Sequence, residues 1–495
     1  MNHPAHPADP DRLVASAAAS LRSGDARQAL QAALKALQIR RGHPGAAQIA
    51  AAALNYQRNH NEARDLLSTF RPQMDRNPGL MYEWAYALVH AGHPDEAMPQ
   101  IDALDRMAPG RVEIAVLRGA AHAIAGRHEK AIELLWPLVE IGPPHAVIHR
   151  LANSLRRVGR SPEAIDLLAR TLDNPSLPPP VRRTMLFARA DIYDGVGEYD
   201  KAWADLAEAR QSESWNRYDP DAVSEAVDRA IHAWSTDRIA ALHLGDRPRS
   251  RGLFVVGMWR SGTTLVQQVL SSHPSVASAG ELNTFQFATG QIWPDMRVGG
   301  VPFIGDPARI DPAVLHAAGA AHARTLNQTS LDATFVIDKL PVNMLYMGLI
   351  GLACPGTRVI KCVRDPIDTC LSCMFQLRGA LAPYCDRLDW LGRFYRDAAR
   401  LDDHWSRVLD MPRLEIGYEE HVGDPPGHAR RMCEFIGLKW DDRMLRHEKQ
   451  SKVAMTRSID QVRLPVYRSA VARWRNYEKH LGPLIEAIGA PAQGE

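Results

Sequence analysis

Arg260-Ser261-Gly262-Thr263-Thr264 follows the apolar run Leu253-Phe-Val-Val and Gly257. An apolar strand that feeds a glycine turn and opens a helix makes an anion site, because first-turn amides lack intrahelical acceptors and the helix dipole adds partial positive charge. Gly257 and Gly262 keep the spacing of a phosphate-holding loop, but Thr263 stands where a nucleotide-hydrolysing loop carries Lys. The cation comes earlier, from Arg260. Arg364 and Ser372 have types and spacing that suit a phosphomonoester, the guanidinium gripping two oxygens while the hydroxyl donates to a third. Asp365-Pro366 between them also suits a plain helix start. Lys339, in Asp338-Lys-Leu-Pro341, is held by a fixed turn and points into a site or pairs with Asp338. In Gly417-Tyr-Glu-Glu-His421, Tyr418 suits stacking on a base or burial at a sheet edge, and Glu419 suits orienting a neighbour.

These residues need a scaffold. Apolar runs at Leu253–Val256, Thr334–Ile337, Arg358–Val363 and Arg413–Ile416 are separated by helical patterns, which predicts parallel strands. In open α/β sheets ligands sit beyond the carboxyl ends of the strands, where each candidate stands. The breaker-rich stretch Gly245–Gly252 places the start of this domain near 250.

The front of the chain is periodic. Alanines at 29, 63, 97, 131, 164 and 202 recur at steps of 34, 34, 34, 33 and 38 residues. Five residues before them stand Gly24, Gly92, Gly126, Gly159 and Gly197, with Arg58 the exception, as helix C-caps require. Twelve before stand Ala17, Ala51, Ala85, Gly119, Ala152 and Ala190, always small. This phase resembles tetratricopeptide (TPR) helical pairs over roughly residues 10–215. Such arrays bind a peptide or protein. Tyr82, Trp84, Tyr86 and Trp136 suit either that surface or the inter-repeat core.

The Arg260–Thr264 turn resembles the 5'-phosphosulfate loop of sulfotransferases that use 3'-phosphoadenosine 5'-phosphosulfate (PAPS), and Arg364 with Ser372 resembles their 3'-phosphate site. The match extends to tyrosylprotein sulfotransferases and their bacterial TPR-linked relatives. It implies that Arg260, Ser261, Gly262, Thr263, Thr264, Arg364, Ser372, Tyr418, Ser458 and Arg473 hold the nucleotide, with Glu281 as general base and Lys339 and Arg260 as the catalytic cations. It implies no metal. Smaller sulfotransferases use a His as base, which keeps His273, His404 and His421 in view. Departures exist: Trp259 replaces the usual Pro, one Glu follows Gly280 instead of two, and Asn283 stands where an Arg would grip acidic peptides.

Composition narrows the rest. A net charge of +2 without a Lys/Arg block argues against nucleic-acid binding. The N-terminus lacks the basic-then-apolar order of a signal peptide, and no run of about 18 apolar residues is present to span a bilayer. The chain reads as cytoplasmic. Six cysteines in 495 residues are no disulfide scaffold, and Cys370-Leu-Ser-Cys373 lacks a second pair for zinc. The sequence therefore predicts an all-α TPR superhelix (1–215), a helical cap or linker (216–250) and an α/β, P-loop-like sulfotransferase fold with a parallel sheet (251–495). The expected reaction moves the sulfuryl group of PAPS to a hydroxyl acceptor, among peptide or protein tyrosine, carbohydrate, lipid and small phenol, with the repeats docking the acceptor or another partner. A P-loop kinase-like phosphotransferase and a TPR scaffold with an inactive transferase domain are the alternatives.

Overall fold

The structure is a computed structural model that describes residues 9–57, 59–141, 145–211, 218–242, 249–298, 301–376, 382–449 and 470–489. Two compact units divide the chain, 1–196 and 197–495.

The first unit is helical throughout its described residues. Its helices pair as Pro10–Arg22 with Ala26–Ile39, Pro44–Tyr56 with His60–Ser68, Pro78–His90 with Pro94–Met107, Val112–Ile124 with His128–Leu135, and His145–Arg157 with Ser161–Leu172, before Pro179–Gly195 closes the unit. The turn glycines Gly24, Gly92, Gly126 and Gly159 have φ of +78° to +90°, a conformation that costs a residue with a Cβ about 1–2 kcal/mol. Ala29, Ala63, Ala97, Ala131 and Ala164 are completely buried, as are Ala17, Ala51, Ala85, Ala152 and Ala190. At Gly119 even a methyl is excluded, since its Cβ would lie 2.5 Å from Leu135 Cδ2. The small positions are therefore the surfaces on which paired helices touch. Trp84 belongs to the buried core, whereas Tyr82 and Tyr86 are half-buried with their rings 6.2 Å apart, and Trp136 is exposed beneath the Arg160 guanidinium.

The repeat period carries to 215, but the compact units divide earlier, after 196. Side-chain contacts explain where the next helices go. Arg210, on the helix Tyr199–Gln211, donates to the carbonyls of Cys385 and Met374. Trp203 stacks on His480 at 4.9 Å, Ser224 donates to Asp397 at 2.5 Å, and Trp234 packs edge-on to Trp405 at 5.3 Å. The stretch read as cap and linker is the pair of helices Pro220–Ala233 and Thr236–Ala240, Asp219 capping the first. Among the described residues no helix is long and apolar enough to cross a membrane.

The second unit is built on a five-stranded parallel sheet: β1 (Gly252–Gly257), β2 (Val276–Gly280), β5 (Phe335–Asp338), β6 (Arg358–Val363) and β7 (Arg413–Gly417), in the order β2-β5-β1-β6-β7. A separate two-residue ladder joins β3 (Arg297–Val298) to β4 (Val301–Pro302). Four sheet strands match the apolar runs within a residue at each end; β2 was not expected. Side chains alternate across a strand. Leu253, Val255, Ile337, Ile360, Cys362 and Ile416 pack on one face with the helices Thr263–Ser271 and Pro425–Ile436. Phe254, Val336 and Asp338 take the other face, toward the helix Pro312–Thr329. Continuing the alternation past the strand ends carries Lys339, Arg364 and Tyr418 to the Thr263–Ser271 face.

Glu83 supplies a pH test of the repeat unit. Burial pushes its carboxyl up to about 7 from the ordinary 4.5, while the Asn55 amide, donating at 2.8 Å, opposes the shift. Because the folded value is raised, the native chain holds a proton that the unfolded chain releases from about pH 4.5 upward, so the unit loses stability as pH rises to about 7 and then levels off. Glu83→Gln is expected to remove that loss. Thermal melts of wild type and Glu83→Gln should agree near pH 4.5 and separate in favour of the variant at pH 8.

Candidate active site

The turn after β1 is held by its neighbours. Gly257 has φ +150°, and a Cβ there would lie 2.4 Å from the Cys362 carbonyl oxygen, so β1 and β6 approach closely only because it is glycine. Arg260 adopts φ +72°. A non-glycine residue in that region is strained, here at the position whose side chain bears the site's first cation. Gly262, φ +97°, opens the helix Thr263–Ser271, and its missing Cβ makes room for the Tyr418 ring, which would otherwise be 2.8 Å away. Ser261, Thr263 and Thr264 are buried, and Ser261 Oγ donates to the Met258 carbonyl at 2.7 Å.

The two expected anion sites interlock. Arg260 Nε donates to Ser372 Oγ at 2.9 Å, and Arg364 donates to the Arg260 carbonyl at 3.2 Å and to the Ala470 carbonyl at 2.6 Å. Arg364 also lies over the Tyr418 ring at 4.8 Å. Tyr418 therefore buttresses a guanidinium and the cradle glycine. Glu419 accepts from the Asp365 amide at 3.0 Å, while Asp365 caps the helix Pro366–Met374 through the Asp368 amide at 2.8 Å. The plain helix start read from Asp365-Pro366 is therefore present, with Arg364 just before it and Ser372 within the helix. Arg473 reaches the end of that helix, its guanidinium over Phe375 at 4.2 Å. Ser458 lies outside the described residues.

Glu281 and Lys339 form the remaining pair. The Lys339 side chain is 1% exposed and donates to Glu281 Oε1, and the Glu281 side chain is 37% exposed. A buried ammonium costs several kcal/mol unless paired and hydrogen-bonded, and the Glu281 carboxylate is the partner that the fold supplies. β2 brings the two together. Gly280 stands opposite Asp338 in the register, and the Lys339 amide donates to the Gly280 carbonyl at 2.8 Å. Between Ser278 and Gly280 the strand has one residue more than β5, and Gly280 has φ +80°. One extra residue flips the chain by one face. Ser278 on one side of the bulge contacts Gln267, and Leu282 on the other packs with Leu326 and Val336. Glu281 is thereby turned onto the Lys339 face.

Lys339 does not take Asp338 as its partner. Asp338 is fully buried on the opposite face, 3.2 Å from His322 Nε2. Burial pushes its carboxyl up and the His322 bond opposes that. The histidines considered as bases are engaged elsewhere: His273 Nε2 lies 2.9 Å from the Lys439 carbonyl and its Nδ1 accepts from the Ser275 amide at 3.1 Å, and His404 Nε2 lies 2.8 Å from the Trp234 carbonyl. His421 is buried with its ring 5.7 Å from that of His428.

Sequence reasoning missed Asp368. Its carboxylate accepts from the amides of Ala472 at 2.7 Å and Trp474 at 2.8 Å, tying the described C-terminal segment to the Ser372 helix, and burial pushes its pKa up. Its position four residues after Arg364, with which it pairs at 3.8 Å, was the available signal. The six cysteines are all buried, and Cys373 Sγ donates to the Trp259 carbonyl at 3.4 Å.

Comparison with known proteins bears on this geometry. Residues 252–442 match the sulfotransferase family, and residues 82–145 and 149–214 match the tetratricopeptide repeat. The chain therefore carries a sulfotransferase-family domain behind a set of TPR repeats. An uncharacterized protein of Aquifex aeolicus is 30% identical over 385 residues, 76% of this chain and 50% of that protein. Thus the match spans half the length of that relative. Protein-tyrosine sulfotransferase 2 of Gallus gallus is 26% identical over 261 residues, 48% of this chain and 68% of that protein. Among solved structures, the sulfotransferase domain of the Synechococcus olefin synthase aligns with TM-score 0.36 and 18% identity over 47% of this chain and 90% of its own.

The β1–β6 approach is directly testable. Gly257→Ala should destabilise the second unit by about 1–3 kcal/mol, the scale for strained backbone, because the methyl meets a carbonyl oxygen that cannot move without shifting β6. Denaturant unfolding of the variant with an unchanged midpoint would contradict the close approach.

Proposed function

We propose that the chain is a PAPS-dependent sulfotransferase whose acceptor carries a hydroxyl. The observation that carries the reading is the Glu281–Lys339 pair at the ends of β2 and β5, on the same sheet face as the Arg260–Thr264 cradle and Arg364. The residues present fit the donor. Arg364 Nε is buried without a hydrogen-bond partner among the described residues, and the first-turn amides of the Thr263 helix are donors that a helix leaves unsatisfied. Arg364 and Ser372 would hold the 3'-phosphate, and the cradle the 5'-phosphosulfate, with Tyr418 and Arg473 shaping the surrounding walls. When bound, PAPS supplies an activated sulfuryl group on an anionic leaving group.

The chain's own residues then act by position and charge, as in phosphoryl transfer. Glu281 takes the proton of the acceptor hydroxyl. Lys339 and Arg260 stabilise negative charge on the leaving side from an already oriented site, so no reorganisation is needed at the reacting moment. The name of the Gallus gallus relative makes peptide tyrosine one acceptor to test, and Asn283 in place of an Arg favours screening uncharged phenols beside acidic peptides. The TPR repeats would dock the acceptor or a partner. All six cysteines being buried thiols supports a reducing, cytoplasmic setting.

Transfer of radiolabelled sulfate from PAPS to a panel of peptides, phenols, carbohydrates and lipids tests the reading; transfer from labelled ATP instead would favour a kinase. Glu281→Gln keeps size and loses proton acceptance, so turnover should fall by ~10²-fold or more with PAPS affinity within a few-fold. A phenol of lower pKa should partly rescue it. Arg364→Ala and Ser372→Ala should weaken 3'-phosphoadenosine 5'-phosphate by ~1.5–3 kcal/mol per contact and adenosine 5'-phosphate much less. Calorimetry showing equal losses for both nucleotides would remove the 3'-phosphate assignment.

A further inference from the structure

Behind the Glu281–Lys339 pair lies a buried row of polar groups that sulfuryl transfer does not use. Asp338 and His322 are both 0% exposed, and Cys354 is buried beside them. His322 Nε2 lies 3.2 Å from Asp338 Oδ2, and Cys354 Sγ lies 3.7 Å from His322 Nδ1. A thiol that donates to Nδ1 leaves the ring proton on Nε2, where it donates to the carboxylate. The rings of Phe254 and Phe285 confine the imidazole at 5.1 and 5.2 Å between centroids. The second oxygen of Asp338 accepts from the Leu282 amide at 3.4 Å.

This arrangement costs free energy in a place where apolar residues would pack without penalty. What it accomplishes is a link. Asp338 is covalently joined to Lys339 and hydrogen-bonded to the residue that follows Glu281, while His322 anchors it to the helix Pro312–Thr329. The link acts where restraint is most needed. Among the described residues β2 is an edge strand with β5 as its neighbour, its ladder is interrupted by the bulge before Gly280, and Glu281 lies just past its end.

We infer that Asp338 and His322 are positioning residues that hold the backbone at Leu282 and thereby aim Glu281 at the acceptor hydroxyl. The inference rests on the sulfotransfer reading, in which Glu281 is the base. Neither residue touches the reacting atoms; both face away from the cradle. Their loss is therefore expected to lower the rate through the placement of Glu281.

Asp338→Asn, His322→Leu and His322→Gln, made in the full chain and checked for folding by thermal melts, test this. With labelled PAPS and 4-nitrophenol or the best peptide acceptor, Asp338→Asn and His322→Leu should lower kcat by about 10- to 100-fold, the scale of a small misplacement, with KM for PAPS within about twofold. His322→Gln keeps a donor for Asp338 and should retain most of the activity. Placed in a Glu281→Gln background, neither Asp338→Asn nor His322→Leu should lower kcat further. Losses that multiply in that background would overturn the inference, since the pair would then act independently of Glu281. A second readout needs no acceptor. With 3'-phosphoadenosine 5'-phosphate bound, amide exchange in the segment 276–285 should quicken in His322→Leu while β1 stays protected; unchanged exchange in the folded variant overturns the inference. Near-normal turnover of Glu281→Gln by itself would instead sink the assignment of the base, and the exchange result would still decide whether the pair holds Leu282.

Discussion

Lys339 is an ammonium at the end of a buried strand, and its charge governs the layout around it. Taken out of water without a counter-charge, an ammonium costs several kcal/mol. The counter-charge comes from Glu281, on a different strand and 58 residues away in the chain. For the two to meet, β2 must pair with β5 in one register, and the bulge before Gly280 must turn Glu281 to the Lys339 face. The pairing, the bulge and the left-handed glycine together bring Glu281 to Lys339. Asp338 faces away. A carboxylate adjacent to Lys339 and on its face would compete with Glu281 for the ammonium; on the other face it serves His322 and Leu282.

The cradle follows a related logic with arginines. Arg260 is held in a strained conformation by the Arg364 bond to its carbonyl and by its own bond to Ser372. Arg364 is in turn fixed by the Ala470 carbonyl and the Tyr418 ring. Each cation is positioned by groups from several segments: the turn after β1, the helix that carries Ser372, Ala470 and the Tyr418 ring. Charges oriented by the fold stabilise a developing anion more than charges that must swing into place. The close β1–β6 approach at Gly257 makes this network geometrically possible.

The residues 197–250 show how a period in sequence and a compact unit can differ. Ala202 and Gly197 keep the repeat phase, yet Trp203, Arg210, Ser224 and Trp234 bury their side chains against the second unit's own helices and turns. A repeat phase records helix-to-helix spacing. It does not record which neighbour the outward side chains choose.

The elements legible in the amino-acid sequence are those set by local chemistry. Glycines five residues before buried alanines mark helix ends because the left-handed cap needs no Cβ, and β1 and β5 appear as continuous apolar runs because both of their faces are buried. The cradle was legible for the same reason, since its turn and helix start are contiguous. β2 was not, because Val-Ala-Ser-Ala-Gly has weak strand preference and becomes a strand only by pairing with the edge of β5. Tertiary structure alone decided that Lys339 pairs with Glu281 and Asp338 with His322, as register and bulge determine which face each side chain takes, and neither is encoded within reach of a single segment.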